Sequence, residues 1–134
     1  MSQAFHLKII SPATVVVDAY VPSVQIPGVE GDFGVLPGHA HVFSMIRPGV
    51  IDVTQPDGSH VRFFAATGYA DVTPESCTVI SDHIQDLADV SSSEAQDALV
   101  AARLALTSAE NDHERTAAEK ILQSAEALVQ AVAA

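Results

Sequence analysis

The 134 residues carry 17 acidic side chains against six basic ones, so the formal net charge is −11 at pH 7. With 48% hydrophobic residues, the chain can bury one ordinary core, or a small core with an appendage. So few Lys and Arg residues exclude a nucleic-acid binder and argue against direct binding to an anionic lipid surface, because both need clustered positive charge.

The cysteine count and the start of the chain indicate the compartment. Cys77 is the single cysteine, which excludes a disulfide framework within the chain and is typical of a reducing environment. The first ten residues lack a basic segment followed by an apolar run, so we expect no signal peptide. No apolar stretch approaches the ~20 residues of a membrane span. The sequence therefore predicts a cytoplasmic protein without membrane insertion.

The part of the chain from Phe5 to about Ser81 consists of short runs in which apolar and polar residues alternate. Alternation of this kind is typical of strands with one buried face. Pro-Gly pairs separate the runs, and Asp57-Gly58 between two alternating runs predicts a hairpin. No helical crossover is visible, so we expect a mostly antiparallel sandwich or barrel whose strand pattern is complete by Ser81.

After about Val90 glycine and proline disappear, and apolar residues recur at intervals of three and four. This spacing predicts amphipathic helices, the first of which starts at a capping box formed by Ser91 and Glu94. The polar stretch from Glu110 to Glu114 is predicted to be the turn between two antiparallel helices. The predicted fold class is thus α+β, with a β-sandwich domain over 1–89 and a helical hairpin over 90–134.

The glycine-rich stretch GVEGDFGVLPGHAH, Gly28 to His41, has three possible interpretations. A phosphate cradle is disfavoured, because the stretch contains no Lys or Arg and no helix is predicted to follow it. A metal site of the kind found in small cupin-like β-barrel enzymes would use His39 and His41 on one face of a strand, but the four following residues supply no third ligand. The third interpretation is a stiff loop that presents side chains to another protein.

A longer segment that includes this stretch resembles a known family. EGDFGVLPGHAHVFSMIRPG, Glu30 to Gly49, is similar to the epsilon subunit of bacterial F-type ATP synthases, whose pattern is Gly-acid-hydrophobic-Gly, then Pro-Gly-His-Ala and a later Pro-Gly. FHLKIISP near the start resembles the family's opening strand, and FFAATGYADVTPESCTVISD resembles its last strands. Most relatives have Gly-Gly where this chain has Gly68-Tyr69. The family fold is a sandwich of about ten strands followed by two helices.

The resemblance implies a noncatalytic rotor subunit that binds the gamma subunit, rests on the ring of c subunits and needs no cofactor. Carried over by position, Asp32 and His39 match the family's contacts to the polar loops of the c subunits, and Glu30 lies beside them. It also implies that the C-terminal helices can contact the alpha and beta subunits. The implied location is the cytoplasmic side of the inner membrane, as a peripheral protein.

The resemblance also bears on regulation, because some family members bind ATP through a motif in the first helix and inhibit ATP hydrolysis. Here the aligned positions include Glu94, Asp97, Ala98 and Arg103, and an acid at Asp97 stands where a phosphate-pairing arginine is expected. From Ser91 onward the chain has three basic and seven acidic residues, so the net charge of this segment is −4. The inhibitory state would bring this acidic segment against an acidic stretch of the beta subunit. We therefore expect no ATP binding and weak inhibition.

Overall fold

The computed structural model describes residues 4–133, which divide into two compact units: the residues up to Asp86 and those from Leu87 onward. The first unit contains ten strands: β1 Phe5–Ile10, β2 Val15–Val21, β3 Ser23–Gly28, β4 Gly31–Val35, β5 Val42–Ile46, β6 Gly49–Thr54, β7 His60–Ala65, β8 Gly68–Val72, β9 Ser76–Ser81 and β10 Ile84–Asp86. The second contains a 3₁₀ turn, Leu87–Asp89, and two helices: α1 Ser92–Thr107 and α2 Asp112–Ala133.

The strands form one continuous sheet in the order β10-β7-β6-β3-β5-β8-β9-β1-β2, and β4 pairs with β3. Within residues 4–133 the pairing of β1 with β9 is parallel and the other pairings are antiparallel. The alternating runs bury one face each, as Phe5, Leu7 and Ile9 do in β1, around a mostly aliphatic core. The predicted α+β class, with an antiparallel β-sandwich of about ten strands and two C-terminal helices, is confirmed.

Two details of the β unit follow from local chemistry. The Asp57-Gly58 hairpin joins β6 to β7 as predicted: Gly58 has a φ of 89°, and the Asp57 carboxylate accepts a hydrogen bond from the Ser59 amide at 2.9 Å. The prediction that the strands end by Ser81 is wrong, because β10 pairs with β7. A strand of three residues is too short to show an alternating pattern.

The helical unit has clear start signals. Ser91 caps α1, since its hydroxyl accepts a hydrogen bond from the Glu94 amide at 3.1 Å, as predicted. The turn predicted over Glu110–Glu114 lies earlier in the chain, because α1 ends at Thr107 and Asn111 caps α2 by accepting from the Glu114 amide at 2.8 Å. The helices are joined through residues 108–111, and Leu99, Ala102 and Ala125 form the buried seam between them.

Candidate functional site

The stretch Gly28 to His41 is not the single loop that the sequence predicts. It consists of the end of β3, a tight turn at Val29 and Glu30, the whole of β4, and a loop over residues 36–41. Gly28 and Gly31 face each other across the turn, and a Cβ atom at Gly28 would lie 2.6 Å from the Gly31 carbonyl oxygen. The first glycine is therefore required by close backbone approach rather than by a bound anion. Strand β4 follows this turn, whereas a phosphate cradle would need the N-terminus of a helix there.

Arg47 fastens this turn to the end of β5. Its guanidinium donates to the Gly28 carbonyl oxygen at 2.7 Å and forms an ion pair with the Asp32 carboxylate at 2.6 Å. Its backbone amide donates to the Pro27 carbonyl oxygen at 3.0 Å. This role of Arg47 could not be predicted from the sequence, because Arg47 and Asp32 are fifteen positions apart and no local spacing links them.

Glu30 lies at the exposed tip of the turn. Its carboxylate makes no hydrogen bond or ion pair with any residue in the described range 4–133. The neighbouring Val29 is also exposed, and its amide donates to the Met45 carbonyl oxygen at 2.9 Å. The backbone of the tip is thus held against β5 while the Glu30 charge faces solvent.

His39 lies at the other end of β5 from these acids. It belongs to the loop over residues 36–41, where its Nδ1 is 2.7 Å from the Ala40 carbonyl oxygen, and the Gly38 amide donates to the Pro74 carbonyl oxygen at 2.9 Å. Gly28 pairs with Ile46 at the far end of β5, so about 13 Å of strand separates the turn from this loop. The structure brings Glu30 and Asp32 together and places His39 apart from them.

The metal interpretation is not supported. His39 and His41 lie in a loop rather than on one face of a strand, and the His41 ring is 3.4 Å from the Asp71 carboxylate. Among residues 4–133, no group of three or more His, Cys, Asp or Glu side chains could hold a metal ion. Cys77 is buried in the core, and desolvation raises the pKa of its thiol to about 12. The cupin-like alternative therefore has no structural basis in this part of the chain.

An exposed apolar surface covers the outer face of β5 and β8. Phe43 is 63% exposed, Met45 53% and Tyr69 36%, and the Phe43 and Tyr69 rings are 5.4 Å apart. We call these three residues the apolar face. Tyr69 lies within β8 and has no positive φ, so the backbone at this position does not require glycine. The sequence feature that indicates this surface is the presence of apolar residues on both faces of β5.

The four residues of the degenerate ATP motif lie along α1. Glu94 is in its first turn, where it takes part in the cap, and Asp97, Ala98 and Arg103 are exposed on the helix surface. Their lack of nucleotide binding stays a prediction. Neither α1 nor α2, over the residues described, is long and apolar enough to cross a membrane.

Comparison with known proteins identifies the family of the whole chain. Residues 4–86 match the family model described as ATP synthase, Delta/Epsilon chain, beta-sandwich domain. The chain is 36% identical to the ATP synthase epsilon chain of Brucella anthropi over 122 residues, which cover 91% of this chain and 90% of that one. It is 35% identical to the epsilon chain of Brucella canis over the same shares.

Solved structures agree with this at the level of the fold. A chain of the Euglena gracilis mitochondrial ATP synthase aligns with a TM-score of 0.84 at 21% identity, covering 98% of this chain and 83% of that one. A chain of the Tetrahymena thermophila central stalk and c-ring structure aligns with a TM-score of 0.66 at 9% identity, covering 96% of each. The family model matches more than half of the chain, and the similarity to the epsilon chains extends over nine-tenths of it. This chain therefore belongs to the family of ATP synthase delta and epsilon chains.

Proposed function

We propose that this chain is a noncatalytic central-stalk subunit of a proton-translocating ATP synthase, where it couples the gamma subunit to the ring of c subunits. The observation that carries the proposal is the 36% identity to an ATP synthase epsilon chain across nine-tenths of both chains. The subunit is peripheral and lies on the cytoplasmic side of the inner membrane. Coupling requires two binding surfaces on one stiff body, and the β unit offers two distinct candidates.

The apolar face is the proposed contact with gamma. Phe43 and Met45 are neighbours on one face of β5, and Tyr69 lies opposite Met45 on β8. Full burial of one large apolar side chain is worth about 1.5–3 kcal/mol, and each of these three side chains can contribute on binding in proportion to the part that is still exposed. Two of them are aromatic, which is typical of the residues that dominate binding energy in protein interfaces.

The proposed contact with the c subunits uses Glu30, Asp32 and His39. The β3–β4 turn, which carries both acids, forms one contact, and the loop over residues 36–41, which carries His39, forms a second. Exposed charge pairs contribute only about 0.2–1 kcal/mol each. Weak pairs suit a surface that must seat in register on a symmetric ring while the apolar face holds gamma.

The helical unit is proposed to regulate weakly. The net charge of −4 from Ser91 onward disfavours docking against an acidic stretch of the beta subunit. Asp97 occupies the position at which ATP-binding relatives carry arginine, so ATP is expected to be repelled there.

Affinity purification and cross-linking test this function. An affinity-tagged chain expressed in its own organism is expected to co-purify with gamma. In intact membranes, cysteines placed by Glu30→Cys or His39→Cys are expected to cross-link to the polar loop of the c subunit. Ser59→Cys, in the exposed β6–β7 hairpin, is the control and is expected not to form that product. Cross-links from Glu30→Cys and His39→Cys to alpha or beta alone would contradict the proposal.

A further inference from the structure

Among residues 4–133, Arg47 makes three hydrogen bonds or ion pairs, and all three go to the β3–β4 hairpin. Two reach backbone carbonyl oxygens, of Pro27 at 3.0 Å and Gly28 at 2.7 Å, and one reaches the Asp32 carboxylate at 2.6 Å. A guanidinium that bridges a carbonyl and a carboxylate fixes their relative positions, because its donors have a rigid planar geometry. Arg47 therefore holds the first residues of β4 against the last residues of β3.

Asp32 is consequently committed within the chain. Both members of the Asp32–Arg47 pair are about half exposed, and Arg47 occupies Oδ1 of Asp32, so a cationic side chain from a partner would meet a carboxylate whose charge is already paired. The intramolecular partner has the advantage, because it is already held in place by its own backbone bond to Pro27.

Glu30 has no such commitment. It lies two residues before Asp32, on the exposed turn, and its carboxylate has no partner in the described part of the chain. The turn below it is closed by the Val29 amide bond to Met45 and by the close approach of Gly28 and Gly31. A free charge on a fixed backbone is suited to recognising a basic group.

We infer that the two acids of this turn have different roles. Asp32 and Arg47 form a positioning pair that fixes the turn, and Glu30 is the charge that the turn presents to a basic loop of its partner. The inference rests on the proposed function for the identity of that partner, the polar loop of the c subunit. The role of Arg47 in holding the turn is independent of it.

Hydrogen exchange of the purified chain tests the positioning role. Arg47→Gln and Asp32→Asn are each expected to speed exchange of the Val29 amide by about tenfold, because a charge-assisted hydrogen bond that closes the turn is lost. Exchange of the Gly58 amide, which donates to the Gln55 carbonyl oxygen in the β6–β7 turn, should not change and shows that the fold is intact. Unchanged Val29 exchange in both variants would overturn the positioning role.

Cross-linking of the assembled synthase tests the division of roles. Val29→Cys places a thiol beside Glu30 and leaves both acids in place. In this background Glu30→Gln is expected to slow cross-linking to the c subunit about threefold at low salt, with the difference disappearing at high salt. Asp32→Asn and Arg47→Gln should slow it through the displaced turn, and the double variant should be no slower than either single one.

The two kinds of failure are distinguishable. If Asp32→Asn slows cross-linking as much when Arg47 is already Gln as when it is Arg, Asp32 contacts the partner itself and the inference is wrong. If Val29→Cys never cross-links to the c subunit, the proposed c-ring contact and the partner role of Glu30 are both refuted, while the exchange experiment still decides the role of Arg47.

Discussion

Gly68 is the glycine at which an added Cβ atom would make the closest steric clash. It opens β8 opposite Ser81 of β9, and an ideal Cβ atom there would lie 2.0 Å from the Ile80 carbonyl oxygen and 2.8 Å from the Ser81 Cα. Both are backbone atoms, which cannot rotate away as the end of a side chain can. Gly68→Ala must therefore push β8 and β9 apart.

The size of the effect follows from these distances. Real Cβ atoms essentially never approach a heavy atom below 3.0 Å, so the backbone must move by 1.0 Å or more. The buried Ser81 hydroxyl lies at this point, within 3.1–3.2 Å of the carbonyl oxygens of Ala66, Thr67 and His83. Overpacking costs about 1–3 kcal/mol, and a weakened buried hydrogen bond adds about 1 kcal/mol. We expect a loss of about 3 kcal/mol in the free energy of unfolding.

Urea denaturation followed by circular dichroism measures this loss. Gly34→Ala is the matched control, because it makes the same change within a strand. The atom nearest to the added Cβ atom there is the flexible end of the Gln25 side chain, at 3.1 Å. Its free energy of unfolding should stay within about 1 kcal/mol of that of the unaltered chain. Equal denaturation midpoints for the two variants would refute the steric reasoning.

Four further predictions concern binding to gamma, domain organisation, ATP binding and chemical reactivity. Phe43→Ala should weaken binding to gamma by about tenfold or more, whereas Tyr20→Ala, which removes an equally exposed aromatic ring from β2, should leave it unchanged. Equal losses in a binding titration would contradict the assignment of the apolar face. A chain truncated after Asp89 retains all ten strands and should fold, bind gamma and restore ATP-driven proton pumping, with hydrolysis raised by less than about twofold. If the truncated chain is unfolded, the predicted boundary is wrong. Calorimetry of the full chain should detect no ATP binding. Cys77, whose thiol has its pKa raised by burial to about 12, should stay protonated and resist alkylation at pH 8 until urea unfolds the chain. Rapid labelling of the folded chain would contradict this.

The sequence by itself determined which secondary structure each unit contains. Alternation located most of the strands, Asp57 and Gly58 located a hairpin, and Ser91 with Glu94 located the start of α1, because each of these signals acts over a few neighbouring residues. The ordered glycines, prolines and histidine between Glu30 and Gly49 were also sufficient to indicate the family.

The tertiary structure decided which of those elements meet. Alternation does not specify the partner of a strand, so the parallel pairing of β1 with β9 could not be read from the sequence. Nor could the division of one glycine-rich stretch into a turn carrying Glu30 and a distant loop carrying His39, since β4 lies between them. The pairing of Asp32 with Arg47 depends on β5 returning beside β3. Such contacts arise from long-range packing of the sheet, whereas sequence patterns record only what each residue's near neighbours require.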